Sequence, residues 1–304
     1  MNRPVVLSIV VTSWNTAGLL RTLLLSLRQF PPRSGHEIIV VDNGSEDDTA
    51  GMLRREFPDV RLVRNSINRG YAAANNQGFA CARGAYVLLL GSDTVVLDDS
   101  ISTMIGYLDA HEEAGAVTCR LLNADRSPQL SCRRLPTLGD ALLTYLSLEH
   151  LARRYTIAGF DFSATQEVEQ PAASCLMIRR SVIGPEGLFD EAFSILYNDV
   201  DLCSRVIGAG WKIVYLGNAE ILHLGGRSTC QAGPELRREM YLNIFRYYRG
   251  RYGWPAVCFL LPILVVRLCV VTGSIRSLLL VPEALKKFSV PRNRPSCTAA
   301  PQRG

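Results

Sequence analysis

The feature that most restricts this 304-residue chain is a repeated switch between two hydrophobic periods. Residues 5–12 (VVLSIVVT) form a β-branched run with little alternation, as in a strand buried on both faces. Leucines at 19, 20, 23, 24 and 27 then make a helical stripe over residues 16–30, which stops before Pro31 and Pro32. The pattern repeats, with strands expected at 37–41, 60–64, 85–90 and 116–121 and helices at 47–57, 71–82 and 99–111. Strands alternating with helices of this length imply βαβ units and a mostly parallel sheet of the α/β class. Residues 123–170 are less regular, punctuated by Pro128 and Pro136, with helical character over 137–155. Strand character returns at 172–178, followed by a helix at 198–209, a strand at 211–216 and a short extended piece at 219–224.

Charge divides the chain. Residues 1–225 carry 20 basic and 25 acidic side chains, a net of −5, whereas residues 226–304 carry 13 and 3, a net of +10. A mildly acidic globule is thus joined to a basic tail that holds the longest apolar run. Apolar residues at 48% and charged ones at 20% exclude bulk disorder and a coiled coil. The nine cysteines form no CxxC pair or zinc-spaced cluster and read as buried reduced thiols. No signal peptide is expected, since Trp14-Asn15 follows the first apolar run where small residues would be needed.

In open α/β sheets, ligands bind beyond the carboxyl ends of the strands. Here those ends carry Thr12-Ser13-Trp14-Asn15, then Asp42-Asn43-Gly44-Ser45, then Asn65 to Gly70, then Gly91-Ser92-Asp93-Thr94. The first turn has neither GxGxxG nor a Walker A loop, which argues against NAD and P-loop chemistry. Asp42 reads either as an Asx turn or as a carboxylate accepting N–H groups from a nucleobase or ribose. Asp93 reads as a cap or as a ligand for a divalent metal, which needs only one or two protein carboxylates when phosphates supply the rest. Asp199 and Asp201 do not share a helix face, so one can project into a cleft while Asp201 pairs with Arg205, four residues on. Asp199 is the candidate general base. His223, followed by Gly225, Gly226 and Arg227, reads as a satisfied core histidine or as part of a phosphate-facing loop.

The runs IVVTSWN, IIVVDNGSEDDT, NRGYAAANNQG, LLLGSDT and FSILYNDVDLCSRVIGAGWKIVYLGNAEILHLGGRST, in this order over residues 5–230, resemble family 2 glycosyltransferases, and most of all their bacterial rhamnosyltransferase-like branch. The resemblance implies a GT-A fold, a nucleoside-diphospho-sugar donor, inverting transfer and a divalent cation, Mg²⁺ or Mn²⁺. By position it makes Asp42 the contact to the nucleobase. It makes Asp93 the last acid of the metal motif, with His223 facing the diphosphate or metal, and Asp199 the base. Thr12, Asn15, Asn68, Gly70, Asn75, Ser92, Trp211 and Arg227 are expected to line the nucleotide-sugar. Two departures stand out: Gly91-Ser92-Asp93 lacks the first carboxylate of a DxD, and Asn198-Asp199 lacks the acid before the base. These leave Asp201 as a second candidate base, and a catalytically inactive nucleotide-sugar-binding subunit as the alternative to an active enzyme.

The resulting expectation is a glycosyltransferase domain over 1–230, a basic apolar helical tail over 231–288, and disorder over 289–304. The 21 residues 255–275 are mostly apolar but interrupted by Pro262 and Arg267, with basic residues on both flanks. Basic flanks favour the cytoplasmic side, and both cannot lie there around a single span. The segment is therefore expected to lie on or re-enter the cytoplasmic face of the inner membrane, with a single span, or packing against the protein's own core or an oligomer partner, as the alternatives. The aromatic-arginine run 241–252 (YLNIFRYYRGRY) suits base stacking in form, but no nucleic-acid partner is expected. A glycan or glycolipid acceptor in cell-envelope polysaccharide biosynthesis is expected, with rhamnose the first guess for the sugar. Thymine, uracil and guanine all remain open as the base, and oligomerisation is open too.

Overall fold

Strand and helix periods separate into layers as the pattern requires. The structure, a computed structural model, describes residues 4–146, 148, 159–184, 187–193, 196–225 and 235–272. Its first half runs β1 (Leu7–Ser13), α1 (Ala17–Gln29), β2 (His36–Asn43), α2 (Thr49–Glu56), β3 (Arg61–Asn65), α3 (Tyr71–Cys81) and β4 (Tyr86–Gly91). Then come β5 (Thr94–Val96), α4 (Ser100–Ala110) and β6 (Ala114–Leu122). The second half holds β7 (Cys132–Arg133), α5 (Leu138–Tyr145), β8 (Gln166–Glu167), β9 (Gln170–Pro171), β10 (Cys175–Arg179), α6 (Asn198–Gly208), β11 (Lys212–His223) and α7 (Glu235–Thr272).

The main sheet has the order β3-β2-β1-β4-β10-β6-β11-β5, with β8 on the side of β11. Strands β3, β2, β1 and β4 are parallel, with Ser13 opposite Asp42, Asp42 opposite Arg64, and Thr12 opposite Gly91. This register brings the four carboxyl ends to one edge. Side chains alternate across the sheet. Leu7, Ile9, Val11, Val40, Leu88 and Leu90 pack on one face against Leu20, Leu23, Leu24 and Leu27 of α1 and Met104 and Leu108 of α4. Val10, Ile39, Val87 and Leu89 face the other way, onto Ala72 of α3 and Leu202 and Val206 of α6. Each such leucine stabilises the fold by about 1.5–3 kcal/mol on burial. α1, α2 and α4 therefore cover one face of the sheet, and α3 and α6 the other.

Several expectations need correction. The strand expected at 172–178 is shorter and runs antiparallel between β4 and β6. The pieces at 211–216 and 219–224 are one strand, β11, which keeps its pairing with β6 across an irregularity between Leu216 and Glu220. At this irregularity Gly217 lies against the Ser163 main chain, with no room for a Cβ, and the Arg120 guanidinium donates to the Gly217 carbonyl. The residues after Asp93 are not a cap alone. Thr94–Val96 forms β5 and pairs antiparallel with the end of β11, Thr94 opposite His223. In the irregular segment, β7 and β9 make a small antiparallel pair, and α5 starts on a capping box of Thr137 and Asp140. The part of the expected 137–155 helix beyond residue 148 lies outside the described residues. Cys119, Cys132, Cys175 and Cys203 are free and buried, but Cys81 is disulfide-bonded, contrary to the reduced-thiol reading.

The first part of the basic segment is built into the molecule. Leu242, Ile244, Phe245, Tyr247 and Tyr248 of α7 form a third core with Ala141 of α5, Phe193 and Val200 of α6. The Tyr248 hydroxyl donates to the Thr137 carbonyl. Arg246 is buried, and its guanidinium donates to the Ala192 carbonyl (3.0 Å) and the Asn243 side-chain oxygen (2.6 Å). Phe245, Tyr247 and Tyr248 of the 241–252 run are turned inward, whereas Tyr252 is exposed. α7 kinks at Gly253 (φ 69°), beyond which Trp254, Phe259 and Val266 are exposed. No helix among the described residues is long and apolar enough to cross a membrane.

Candidate active site

The carboxyl ends of β1–β4 form one wall of a cleft. Asp42 ends β2 and is 1% exposed. Its Oδ1 accepts the Ser45 N–H (3.0 Å), which is the Asx-turn role. Its Oδ2 has no hydrogen bond among the described residues, and the half-exposed Arg64 guanidinium lies 3.5 Å away. Thr12 Oγ1 is orphaned likewise, as are Ser174 Oγ beside Gly91 and Gln170 Oε1 beside Asp199. A buried acceptor left unpaired costs roughly 1–3 kcal/mol. Unpaired buried groups of this kind call for a partner that completes them, such as a water, an ion or a bound ligand.

Beneath this wall runs a hydroxyl relay. Thr16 donates to Ser92 (3.0 Å), so Ser13 must supply the proton in its 2.9 Å contact with Thr16. The Ser92 proton is left over from this relay. The β3–α3 loop is stapled by Asn43. Its amide donates to Asn68 Oδ1 (2.9 Å) and the Gly70 carbonyl (3.2 Å), and its oxygen accepts the Arg69 N–H (3.0 Å). Gly70 sits at φ 83°, a left-handed position that suits glycine. Gly44, at φ 77°, lets the β2–α2 turn approach this loop, because a Cβ there would lie 2.5 Å from the Ile67 carbonyl carbon.

Asn15 is committed to the neighbouring turn, with its N–H donating to Ser45 Oγ (3.0 Å) and its Oδ1 accepting the Glu46 N–H (2.8 Å). Asn75 is buried and donates to the Tyr71 carbonyl (2.9 Å), so it supports Tyr71 from within α3.

The β5–β11 pairing brings Asp93 and His223 together, with Oδ1 and Nε2 3.5 Å apart. Burial pushes the His223 pKa down, against the pull of the Asp93 carboxylate, so the imidazole leans toward its neutral form. A carboxylate and a neutral imidazole nitrogen are a pair that could contribute two ligands to a divalent cation. Among the described residues no group of three or more His, Cys, Asp or Glu converges as a metal cluster, so a cation here would depend on its substrate for the remaining ligands.

The opposite wall carries Asp199, at the start of α6 and partly exposed to the cleft. Oδ1 accepts the Val200 N–H (2.8 Å) and Oδ2 accepts Gln170 Nε2 (3.0 Å). Asn198, standing where the family's acid would be, accepts the Asp199 N–H (2.9 Å). Burial raises the Asp199 pKa, opposed by the Val200 N–H and by the charge of Arg133. Asp201 points away and pairs with Arg205 at 2.8 Å, as the i,i+4 spacing predicts. Tyr71 lies between the two walls. Burial first, then the charges of Asp199 and Asp93, push its phenol pKa up.

Two expected residues do not join this cleft. Trp211 precedes β11 at the end opposite His223 and packs on Gly115 and toward Val182, so it belongs to the core and not to the nucleotide-sugar site. Arg227 lies outside the described residues. Tyr71, Gln129 and Gln170 were not singled out by the sequence. Gln129 and Gln170 fall in the irregular 123–170 stretch, where no periodicity marks a cleft-facing position.

Carboxylates and a histidine thus stand around the strand ends of a mixed α/β sheet. The chain belongs to Glycosyl transferase family 2, whose profile matches residues 8–183. It is 29% identical over 239 residues to an N-acetylglucosaminyl-diphospho-decaprenol L-rhamnosyltransferase of Mycobacterium tuberculosis, covering 74% of this chain and 78% of that one. The fold matches a mannosyltransferase of Pyrobaculum calidifontis solved with GDP-Man and Mn²⁺, at a TM-score of 0.56 and 18% identity, covering 94% of this chain and 81% of that one. It also matches GalNAc-T7 solved with UDP, GalNAc and Mn²⁺, at a TM-score of 0.56 and 14% identity, covering 72% and 44% respectively.

Proposed function

We propose that this glycosyltransferase moves a sugar, with inversion, from a nucleoside-diphospho-sugar to a hydroxyl of a lipid-linked or cell-envelope glycan. The observation that supports the reading is that the Tyr71 phenol feels the charges of both Asp199 and Asp93, while His223 Nε2 lies 3.5 Å from Asp93 Oδ1. The mycobacterial relative, whose name specifies rhamnose and a diphospho-decaprenol acceptor, supports dTDP-rhamnose as the first donor to try.

In this reading Asp42 Oδ2 accepts an N–H of the base, and Thr12, Ser92 and the Asn68–Gly70 loop flank the ribose and diphosphate. Asp93 and His223 would hold the Mg²⁺ or Mn²⁺. Such a cation supplies Lewis acidity, neutralising charge on the departing diphosphate. Asp199 takes the acceptor hydroxyl's proton on Oδ2, which still has a lone pair beside the one occupied by Gln170. That hydroxyl oxygen bonds to the anomeric carbon as the bond to the diphosphate breaks, in a single displacement that inverts the centre.

The transferase unit is residues 1–230, and α7 docks a further helix onto it. The exposed Trp254, Phe259 and Val266 beyond the Gly253 kink, with Arg249 and Arg251 before it, suit attachment to the anionic cytoplasmic face of a membrane. This would bring a lipid-linked acceptor to the cleft.

The test is a thermal-shift screen of nucleotide-sugars with Mn²⁺. The true donor at a hundred times its Kd should add about 2.7 kcal/mol by mass action. No stabilisation by any nucleotide-sugar would sink the reading. Stabilisation without transfer to any acceptor would favour the inactive binding subunit.

A further inference from the structure

We infer that Gln129 is a positioning residue, which fixes His223 as the Nδ1–H tautomer and turns its Nε2 lone pair toward Asp93. The orientation of the Gln129 amide is not free. Its Nε2 lies 2.7 Å from the His223 main-chain carbonyl and 2.8 Å from Asn123 Oδ1. A carbonyl can only accept, so the amide nitrogen must occupy that side. The amide oxygen is therefore the atom that faces His223 Nδ1 at 2.9 Å. An amide oxygen can only accept, so Nδ1 carries the proton. In a neutral imidazole the other nitrogen then holds a lone pair, and this is the atom 3.5 Å from Asp93 Oδ1.

The rest of the network supports the same polarity. Asn123 donates its own amide to Ser127 Oγ (2.9 Å), which leaves its oxygen for Gln129. The Gln129 N–H donates to the Leu121 carbonyl (2.7 Å), and the turn between β6 and Gln129 is closed by the Asn123 N–H to Ser127 carbonyl bond (2.8 Å). The chain thus doubles back at the end of β6 to set one side chain against the end of β11. Across the gap the Nε2 lone pair and Asp93 Oδ1 stand 3.5 Å apart, two electron-pair donors presented to one place. A ligating histidine whose far nitrogen donates to a carbonyl-type oxygen is oriented in this way in metal sites generally.

The inference rests on the cation-assisted reading for its purpose, but its first readout does not. Long-range proton–nitrogen NMR on the metal-free full chain reports which nitrogen of His223 is protonated. The wild type is expected to show Nδ1–H, and Gln129→Leu a shift toward Nε2–H, which can donate to Asp93. Mn²⁺ titration followed by EPR should show Gln129→Leu weakened about 10–100-fold. Wild-type His223 protonated on Nε2 would overturn the inference, as would Gln129→Leu with unchanged tautomer and Mn²⁺ affinity. Absence of sugar transfer would count against the proposed function alone, because neither readout uses it.

Discussion

The two walls of the cleft are built by different means. The donor-side wall is made of strand ends, and the backbone register of four parallel strands fixes where Thr12, Asp42, Asn65 and Gly91 stand. The opposite wall depends on one carboxylate at the first turn of a helix. Its orientation comes from a side chain 29 residues away, Gln170, on a strand of two residues. The first wall can lose a side chain and keep its shape. The second holds its geometry through single hydrogen bonds, so small substitutions there should alter chemistry before they alter binding.

The largest effect should come where the walls meet at the diphosphate. Asp93→Ala should lower the transfer rate by about 10³-fold, equivalent to ~4 kcal/mol of lost charge stabilisation. A steady-state assay with Mn²⁺ checks this, and a rate within tenfold of wild type would separate Asp93 from the chemistry. On the donor wall, Asp42→Asn should weaken donor binding about 10–100-fold, the range for a charged hydrogen-bond acceptor, with the melting temperature little changed. Isothermal titration with the nucleoside diphosphate reads this directly.

On the base wall the expected effect is on pH dependence. Asp199 must be ionised to accept a proton, and burial raises its pKa above the usual carboxylate value. The rate should therefore be full above that raised pKa and fall as pH drops through it. Gln170→Leu removes a hydrogen bond to the ionised form and should move this acid limb to higher pH, by about one unit or less. A pH–rate profile of both proteins decides it, and superimposable acid limbs would dissociate Gln170 from the base. The smallest effect is expected at Trp211→Phe. That residue packs on Gly115 at the far end of β11, so donor affinity should stay within about twofold, inside the range of packing changes remote from a site.

The same contrast explains what could be read from the amino acids. The donor wall was legible because unbroken runs such as VVLSIVVT and AYVLLL announce buried parallel strands, and the residues after them fall at the sheet edge by topology alone. Asp201 was separable from Asp199 because helix periodicity sends i and i+2 to different sides. The base wall was not legible in the same way. Strand direction has no sequence period, so β10 gave no sign of running antiparallel. β5 is three residues long, too short for a pattern, yet it sets Asp93 beside His223. Gln129 and Gln170 act through single long-range hydrogen bonds in a segment with no repeat. The net charge of the tail also overstated its freedom, because Arg246 is buried and bonded within the protein.

The division of labour between the walls is tested most directly by Asp199→Asn, with transfer rate and donor Kd measured on the same preparation. The account predicts a rate lowered by about 10²–10⁴-fold, the span of a general base, and a donor Kd within about twofold of wild type. A transfer rate equal to that of the wild type would contradict it.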